Sequence, residues 1–182
     1  MGGAVGIAAR KAGAASRIVG VADRPETIEV AKQIGAVDDA TLDLATAVAD
    51  TELVILAVPV RLIPDVATMI IETAKEGTLL TDLGSTKAKV VETVDRLIAQ
   101  HKSKVHFVGS HPITGSEKTG IESATEVKFE GATCILTPTA ATDNDAYHRV
   151  EEFWKAIGMK TNRMAPEEHD MVLAKSSHLP HL

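Results

Sequence analysis

One uninterrupted apolar run constrains the fold of this chain more than any other feature. Residues 53–58 (Leu-Val-Ile-Leu-Ala-Val) are all apolar, Pro59 follows them, and residues 60–75 show a helical pattern that Gly77 ends. A continuous apolar run is typical of a parallel strand that is covered on both faces. A strand that leads into a helix is half of a βαβ unit. The run therefore predicts an α/β fold with a mostly parallel sheet.

The same alternation recurs on both sides of this run. Further strands are predicted at residues 18–21, 78–81, 105–108, 131–137 and 159–164. Further helices are predicted at residues 26–34, 43–49, 86–100 and 143–157, and a last one begins at Pro166. Successive βαβ units build a doubly wound sheet. We therefore expect a Rossmann-type fold.

Composition narrows the class of protein. The 182 residues carry a formal net charge of −6, and nucleic-acid-binding proteins usually show a basic patch, so we expect no nucleic-acid partner. No apolar run approaches the roughly 18 residues of a membrane span, and we expect no membrane segment. The single cysteine, Cys134, lies in an apolar run and suits a core position in a reducing compartment. We see no secretory leader and expect a cytoplasmic protein.

Residues 109–120 hold more chemically active side chains than any other stretch. His111 follows the strand predicted at residues 105–108, so it should lie on a loop at the edge where α/β sheets bind ligands. Pro112 disfavours helix at His111 and keeps the segment irregular. The polar neighbours are Ser110, Thr114, Ser116, Glu117 and Lys118. This crowding favours a functional site over the alternative, a polar connection whose histidine bonds a backbone carbonyl.

Two further residues lie where predicted strands end. Asp23 ends the strand at residues 18–21, and NAD-binding folds bond the ribose 2′-hydroxyl with an acidic residue about twenty positions beyond the glycine-rich turn. The alternative is that Asp23 caps the next helix, and Arg24 leaves NADP open as the cofactor. Ser85 is either a site residue or the N-cap of the helix predicted at residues 86–100.

Three segments resemble the signatures of one enzyme family, in the same order along the chain. They are residues 82–87 (Asp-Leu-Gly-Ser-Thr-Lys), residues 109–120 (Gly-Ser-His-Pro-Ile-Thr-Gly-Ser-Glu-Lys-Thr-Gly) and residues 177–181 (Ser-His-Leu-Pro-His). On these residues the chain resembles the prephenate and arogenate dehydrogenases, the nicotinamide-dependent enzymes of tyrosine biosynthesis. The resemblance extends over nearly the whole sequence.

The resemblance implies an oxidative decarboxylation of prephenate or arogenate, which yields 4-hydroxyphenylpyruvate from prephenate. NAD+ would accept the hydride, with NADP+ as the alternative. His111 would accept the proton of the substrate hydroxyl, because a neutral imidazole with a pKa of about 6.5 can do so at neutral pH. Ser85 would orient the hydroxyl or the imidazole. Substrate contacts would come from Ser116, Glu117, Lys118 and His181.

The resemblance also places the cofactor. Gly2 corresponds to the third glycine of the dinucleotide fingerprint and Gly3 lies beside it, so the first strand and the first two glycines would precede residue 1. The other cofactor contacts would be Asp23, Arg24, Ala57, Val58, Pro59 and Ser85. No spacing typical of a metal site is present, and no metal is expected.

A division into two parts follows from the same resemblance. Residues 1–165 would form a dinucleotide-binding domain that lacks its first strand, and residues 166–182 would begin a helical domain for substrate binding and dimerisation. The chain would then be truncated at both ends and inactive alone, and a homodimer when the helical domain is complete. The histidines outside the signatures are expected to be solvated or to cap helices: His101, His106, His148 and His169.

Two other functions stay open at this point. A dehydrogenase for another small hydroxyacid would share the fold, although such enzymes usually place a catalytic lysine in their second domain. A dinucleotide-binding fragment without catalysis would result if too little of the phosphate-binding turn and of the substrate domain is present. Turnover of prephenate with NAD+ distinguishes the three functions.

Overall fold

The computed structural model describes residues 1–114 and 120–178, with side chains as far as residue 175. Its strands are β1 Val19–Val21, β2 Asp39–Thr41, β3 Leu53–Leu56, β4 Leu79–Asp82, β5 His106–Ile113, β6 Thr133–Thr137 and β7 Lys160–Arg163. Its α-helices are α1 Gly2–Ala12, α2 Pro25–Gln33, α3 Leu44–Val48, α4 Ile63–Thr73, α5 Ala88–His101, α6 Asn144–Ala156 and α7 Pro166–His178. Within this described part, none of the helices has the length and apolar character needed to cross a membrane.

The main sheet has five strands in the order β3-β4-β5-β6-β7. β3, β4 and the first part of β5 run parallel, β6 runs antiparallel to β5, and β7 runs parallel to β6. β1 and β2 pair in parallel in a second sheet. The predicted α/β class and the mostly parallel sheet are confirmed.

Adjacent residues of the central strands point to opposite faces of the main sheet, and each face is covered by helices. Leu80 and Phe107 belong to an apolar cluster with α4 and α5. Leu79 and Val108 belong to the other cluster, with α1 and α6. All four residues of β4 are buried. β3, the apolar run that predicts cover on both faces, likewise has Leu53 and Ile55 in one cluster and Val54 and Leu56 in the other, so this prediction is confirmed.

β5 is longer than predicted and changes its partner along its length. Residues 106–108 pair with β4, whereas residues 109–113 pair with β6, and His111 lies opposite Ile135. The prediction that His111 lies on an irregular loop is therefore wrong, since it is a strand residue. Residues 109–113 read Gly-Ser-His-Pro-Ile, so the part of the strand that pairs with β6 lacks the apolar run by which the other strands were predicted.

Gly109 lies where β5 passes from one partner to the other. A Cβ at this position would lie 2.5 Å from Oγ1 of Thr137 and 2.8 Å from Cγ2 of Val91. Both neighbours are buried, so neither has room to move away. β6 and α5 therefore pack against the bare backbone of β5 at this point.

Helix α1 is the first described element, and β1 and β3 each have one edge without a strand partner among the described residues. α1 belongs to the same apolar cluster as partly buried residues of β3, among them Leu53 and Ile55. The predicted lack of a leading strand and the predicted domain boundary at residue 165 stay predictions.

Candidate active site

The imidazole of His111 is held by a second histidine from α7. Nδ1 of His111 lies 2.9 Å from Nε2 of His169, and the two rings meet edge to face with their centroids 5.1 Å apart. His169 is fully buried. The prediction that His169 is solvated or caps a helix is wrong, because burial of α7 against the sheet brings this ring onto β5. His148, by contrast, has a side chain that is 68% exposed.

Asp170 continues this contact chain to the start of α5. Its Oδ1 lies 2.8 Å from Nδ1 of His169 and accepts a hydrogen bond from the backbone N–H of Lys87, and its Oδ2 accepts one from that of Ala88. Partial burial acts to raise the pKa of Asp170, but the hydrogen bonds from Lys87, His169 and Ala88 hold it below its ordinary value.

The carboxylate of Asp170 thus satisfies N–H groups that the first turn of α5 leaves free. The alternative that Ser85 is the N-cap of this helix is wrong, since α5 begins at Ala88 and Lys87 is its N-cap residue. Ser85 is exposed on the turn between β4 and α5. Its predicted role beside the base and the cofactor stays a prediction.

A buried ion pair fills the place where β5 has left β4. The ammonium of Lys87 bonds the carboxylate of Asp82, and both side chains are fully buried. Lys87 Nζ also donates to the backbone carbonyl of Ser110 at 2.9 Å, and Oδ1 of Asp82 accepts from the backbone N–H of Ser110 at 3.1 Å. The pair therefore makes the two backbone hydrogen bonds of Ser110 that a neighbouring strand would otherwise make.

Burial controls the protonation of His111. It lowers the pKa of the imidazole to about 4, with the neighbouring His169 and Lys87 acting in the same direction and Asp170 acting against them. His111 is consequently neutral at neutral pH, and the ring nitrogen that does not face His169, Nε2, can accept a proton.

Cys134 on β6 lies close to His111 and Lys87, but its thiol is not reactive. The residue is fully buried, and burial raises the pKa of its thiol to about 12. A thiol with so high a pKa stays protonated at neutral pH and is a poor nucleophile. The predicted role of Cys134 as a small core residue is confirmed.

The predicted cofactor residues Gly2 and Ala57 lie against each other. A Cβ added to Gly2 would lie 2.7 Å from Cβ of Ala57, so the first turn of α1 closely approaches the end of β3. Ala57 and Pro59 are exposed and Val58 is half-buried. In the parallel register of β3 and β4, Leu56 pairs with Asp82. The corner after β3 therefore lies beside the turn that leads to Ser85.

The segment that returns from β5 packs on the start of α1. A Cβ on Gly3 would meet the side chains of Ile121 and Ala124, the second of which is buried. This contact brings the chain that follows His111 next to the helix end that the sequence predicts for the cofactor. The catalytic and cofactor predictions thus fall on one edge of the fold.

Asp23 and Arg24 lie just beyond β1 with exposed side chains. The N-cap residue of α2 is Arg24, and no side chain caps this helix. The alternative that Asp23 is a helix cap is therefore wrong. The carboxylate of Asp23 is 3.8 Å from Nε of Arg24 and is 89% exposed, so it is open to a ligand.

Four predicted substrate residues lie outside the described residues: Ser116, Glu117, Lys118 and His181. Two residues of the site, His169 and Asp170, were not predicted from the sequence. An adjacent His-Asp pair in the first turns of a helix after the last strand was the available signal. It was weak, because only the folded chain brings it next to His111.

The chain matches a known family along most of its length. The family model described as "Prephenate dehydrogenase, nucleotide-binding domain" matches residues 5–163. The prephenate dehydrogenase of Bacillus subtilis is 36% identical over 100% of this chain and 48% of that protein. The cyclohexadienyl dehydrogenase of Zymomonas mobilis is 34% identical over 90% of this chain and 55% of that protein. The chain thus spans about half the length of the curated relatives it matches.

A solved structure agrees with these matches. The crystal structure of prephenate dehydrogenase from A. aeolicus in complex with hydroxyphenyl propionate and NAD+ superposes with a TM-score of 0.87 at 33% identity. The match covers 98% of this chain and 61% of that one. The chain therefore belongs to the prephenate dehydrogenase family and contains its nucleotide-binding domain.

Proposed function

We propose that this chain supplies the cofactor site and the general base of a dehydrogenase that oxidatively decarboxylates prephenate or arogenate with NAD+. Family membership supports the reaction, and the A. aeolicus relative holds NAD+ together with a ligand that has a hydroxyphenyl group, as the expected product does. The observation that carries the proposal is the half-buried, neutral His111 at the same edge of the fold as Gly2 and Ala57.

The residues at this edge fit a dinucleotide. Gly2 lets the first turn of α1 approach Ala57, and the N–H groups and positive dipole end of this helix favour a phosphate. The carboxylate of Asp23 is exposed beyond β1, where it can bond a ribose 2′-hydroxyl. When bound, NAD+ supplies the hydride acceptor.

His111 does the proton transfers. Its Nε2 accepts the proton of the substrate hydroxyl while the C–H bond at the same carbon breaks, which leaves a ketone. When the ring carboxylate departs as CO2, the electrons of the broken C–C bond enter the ring and reach the ketone oxygen. That oxygen regains the proton from His111 and becomes the phenol. The imidazole is neutral again at the end of the cycle.

Turnover of prephenate and of arogenate by the full-length protein tests this function. We expect reduced nicotinamide and CO2 to form in equal amounts with at least one of the two substrates. Reduced nicotinamide without CO2, or turnover of another hydroxyacid only, would show a different dehydrogenase. Binding of NAD+ without any turnover would show a binding protein.

Cofactor preference should depend on Asp23. We expect NAD+ to be preferred, because the carboxylate repels the 2′-phosphate of NADP+. Asp23→Ser should lower the ratio of kcat/KM for NAD+ to kcat/KM for NADP+ by roughly tenfold, because one charged contact contributes about that much. Asp23→Asn is the matched variant, since it removes the charge and keeps a hydrogen-bond acceptor. Equal kcat/KM for the two cofactors in the parent protein would contradict this prediction.

The pH profile of kcat/KM should show the lowered pKa of His111. A pKa of about 4 keeps the imidazole neutral as the pH falls, so kcat/KM should stay on its plateau well below the ordinary histidine pKa of about 6.5. Initial rates between about pH 4.5 and pH 8 measure the acidic side of this profile. A loss of kcat/KM centred near pH 6.5 that disappears in His111→Asn would show that the base has an ordinary pKa.

The family resemblance also leads us to propose a cytoplasmic homodimer. Met171 and Val172 on α7 are exposed apolar side chains, 59% and 42% accessible. Burial of such side chains in a further contact would lower the free energy of the protein. We place that contact in the helical half that the family resemblance predicts to begin at residue 166.

A further inference from the structure

His111, His169 and Asp170 form one directed hydrogen-bond chain. The backbone N–H groups of Lys87 and Ala88 can only donate, so the Asp170 carboxylate that receives them at 2.7 and 3.0 Å is an acceptor. Its remaining contact, 2.8 Å to Nδ1 of His169, therefore receives the Nδ1–H of that ring. The direction of the first hydrogen bond is fixed by the start of α5.

The direction of the second hydrogen bond follows from the first. When His169 is neutral, its ring has one N–H, and the contact with Asp170 places that proton on Nδ1. Nε2 of His169 is then an acceptor, and the 2.9 Å contact requires His111 to donate its Nδ1–H. The single proton of a neutral His111 is thereby placed on Nδ1. Its Nε2 then carries a lone pair and no proton.

We infer that His169 and Asp170 are positioning residues that hold His111 in the tautomer whose Nε2 is the proton acceptor. This inference rests on the proposed role of His111 as the base. Neither His169 nor Asp170 needs to touch the substrate for this purpose. In the alternative tautomer Nε2 would carry a proton and could not accept one.

Burial makes this arrangement effective. His169 is fully buried, so water does not compete for its ring nitrogens. Once His111 has taken a proton, its Nδ1–H still bonds His169, and the negative charge of Asp170 lies beyond it. The other cation near the ring, Lys87, is already paired with Asp82. The hydrogen bonds through His169 therefore connect the positive charge that forms on His111 to the carboxylate of Asp170.

Nitrogen NMR of histidine-labelled full-length protein at about pH 8 tests the inference, because the nitrogen chemical shift separates a protonated from an unprotonated ring nitrogen. The His111 signals are assigned by their loss in His111→Asn. We expect a protonated Nδ1 and an unprotonated Nε2 in the parent protein. A protonated Nε2 on His111 in the parent would overturn the inference without any variant.

Two substitutions of His169 separate its hydrogen bond from its bulk. His169→Leu removes the acceptor, so His111 should lose the fixed Nδ1 proton, and kcat should fall at least about tenfold and no further than in His111→Asn. His169→Gln can place an amide oxygen near the former Nε2 and should restore the tautomer and part of kcat. A fixed Nδ1 proton that survives His169→Leu in a folded protein would overturn the inference.

The same measurements distinguish the inference from the proposed function. The predicted tautomers without turnover of prephenate or arogenate would contradict the function and leave the tautomer assignment standing. Turnover of prephenate or arogenate by a parent protein with a protonated Nε2 on His111 would support the function and contradict the tautomer assignment.

Discussion

Replacing His111 with asparagine should lower kcat by about 10² to 10⁴ fold, or roughly 3 to 5 kcal/mol in the transition state. KM should rise far less, because the proton is transferred only as hydride departs and the base helps the transition state more than the bound substrate. Asparagine keeps a hydrogen-bonding group at this position but cannot accept a proton. Steady-state kinetics of the full-length protein with NAD+ and prephenate measure both quantities.

His148→Asn is the matched control for this experiment. His148 lies on α6 with a mostly exposed side chain, and kcat should not change when it is replaced. If His111→Asn keeps kcat within about threefold of the parent, an effect below roughly 0.7 kcal/mol, His111 is not the base. A lower melting temperature with unchanged kinetics would show a histidine that only stabilises its strand.

Replacing Lys87 with methionine should destabilise the fold by about 3 to 5 kcal/mol, because the Asp82 carboxylate would stay buried without a cation. Ser110 would also lose the hydrogen bond to its carbonyl. For a domain of this size we expect the melting temperature to fall by about 6 to 20 °C. Thermal unfolding followed by circular dichroism measures the change.

Lys89→Met is the control, because it removes an ion pair without leaving a buried charge. Lys89 bonds Glu92 at 3.0 Å on the surface of α5, with both side chains largely exposed, so this change should leave the melting temperature nearly unaltered. The double variant Asp82→Asn with Lys87→Met removes both buried charges and should recover much of the loss. If Lys87→Met lowers the melting temperature no more than Lys89→Met does, the buried ion pair does not stabilise β5.

The sequence predicted the strands better than it predicted where one of them ends. Apolar runs identified β3, β4 and the start of β5, because a buried parallel strand leaves a local pattern. The second half of β5 has no such pattern, because residues 109–113 read Gly-Ser-His-Pro-Ile. Pro112 also argued for a loop. It is tolerated because the backbone of Ser110, two residues earlier, faces away from β6 towards Asp82 and Lys87, and Pro112 shares that orientation.

The site was predicted in part for the same reason. A short signature is enough to identify His111 as a candidate base, because a histidine among polar residues at a strand end is visible in sequence. His169 and Asp170 were missed because their importance comes only from the packing of α7 against β5 and α5. The sequence alone allows Ser85 and Asp23 to be the N-caps of the helices that follow them. The structure excludes both, because α5 begins at Ala88 and α2 begins at Pro25. Local sequence could not decide this, since helix boundaries depend on tertiary contacts.

The position of His111 within β5 bears on how a protein with this domain can change over evolutionary time. The proposed base belongs to the same strand as the core residues Phe107 and Val108, with no loop between them. Ser116, Glu117 and Lys118, the residues proposed to meet the substrate's polar groups, come after the last residue of this strand in the sequence. Mutations there can shift the choice between related substrates while the proton acceptor stays where the core holds it. New substrate specificities should therefore arise by substitutions at residues 116–118, with the proposed proton acceptor unchanged.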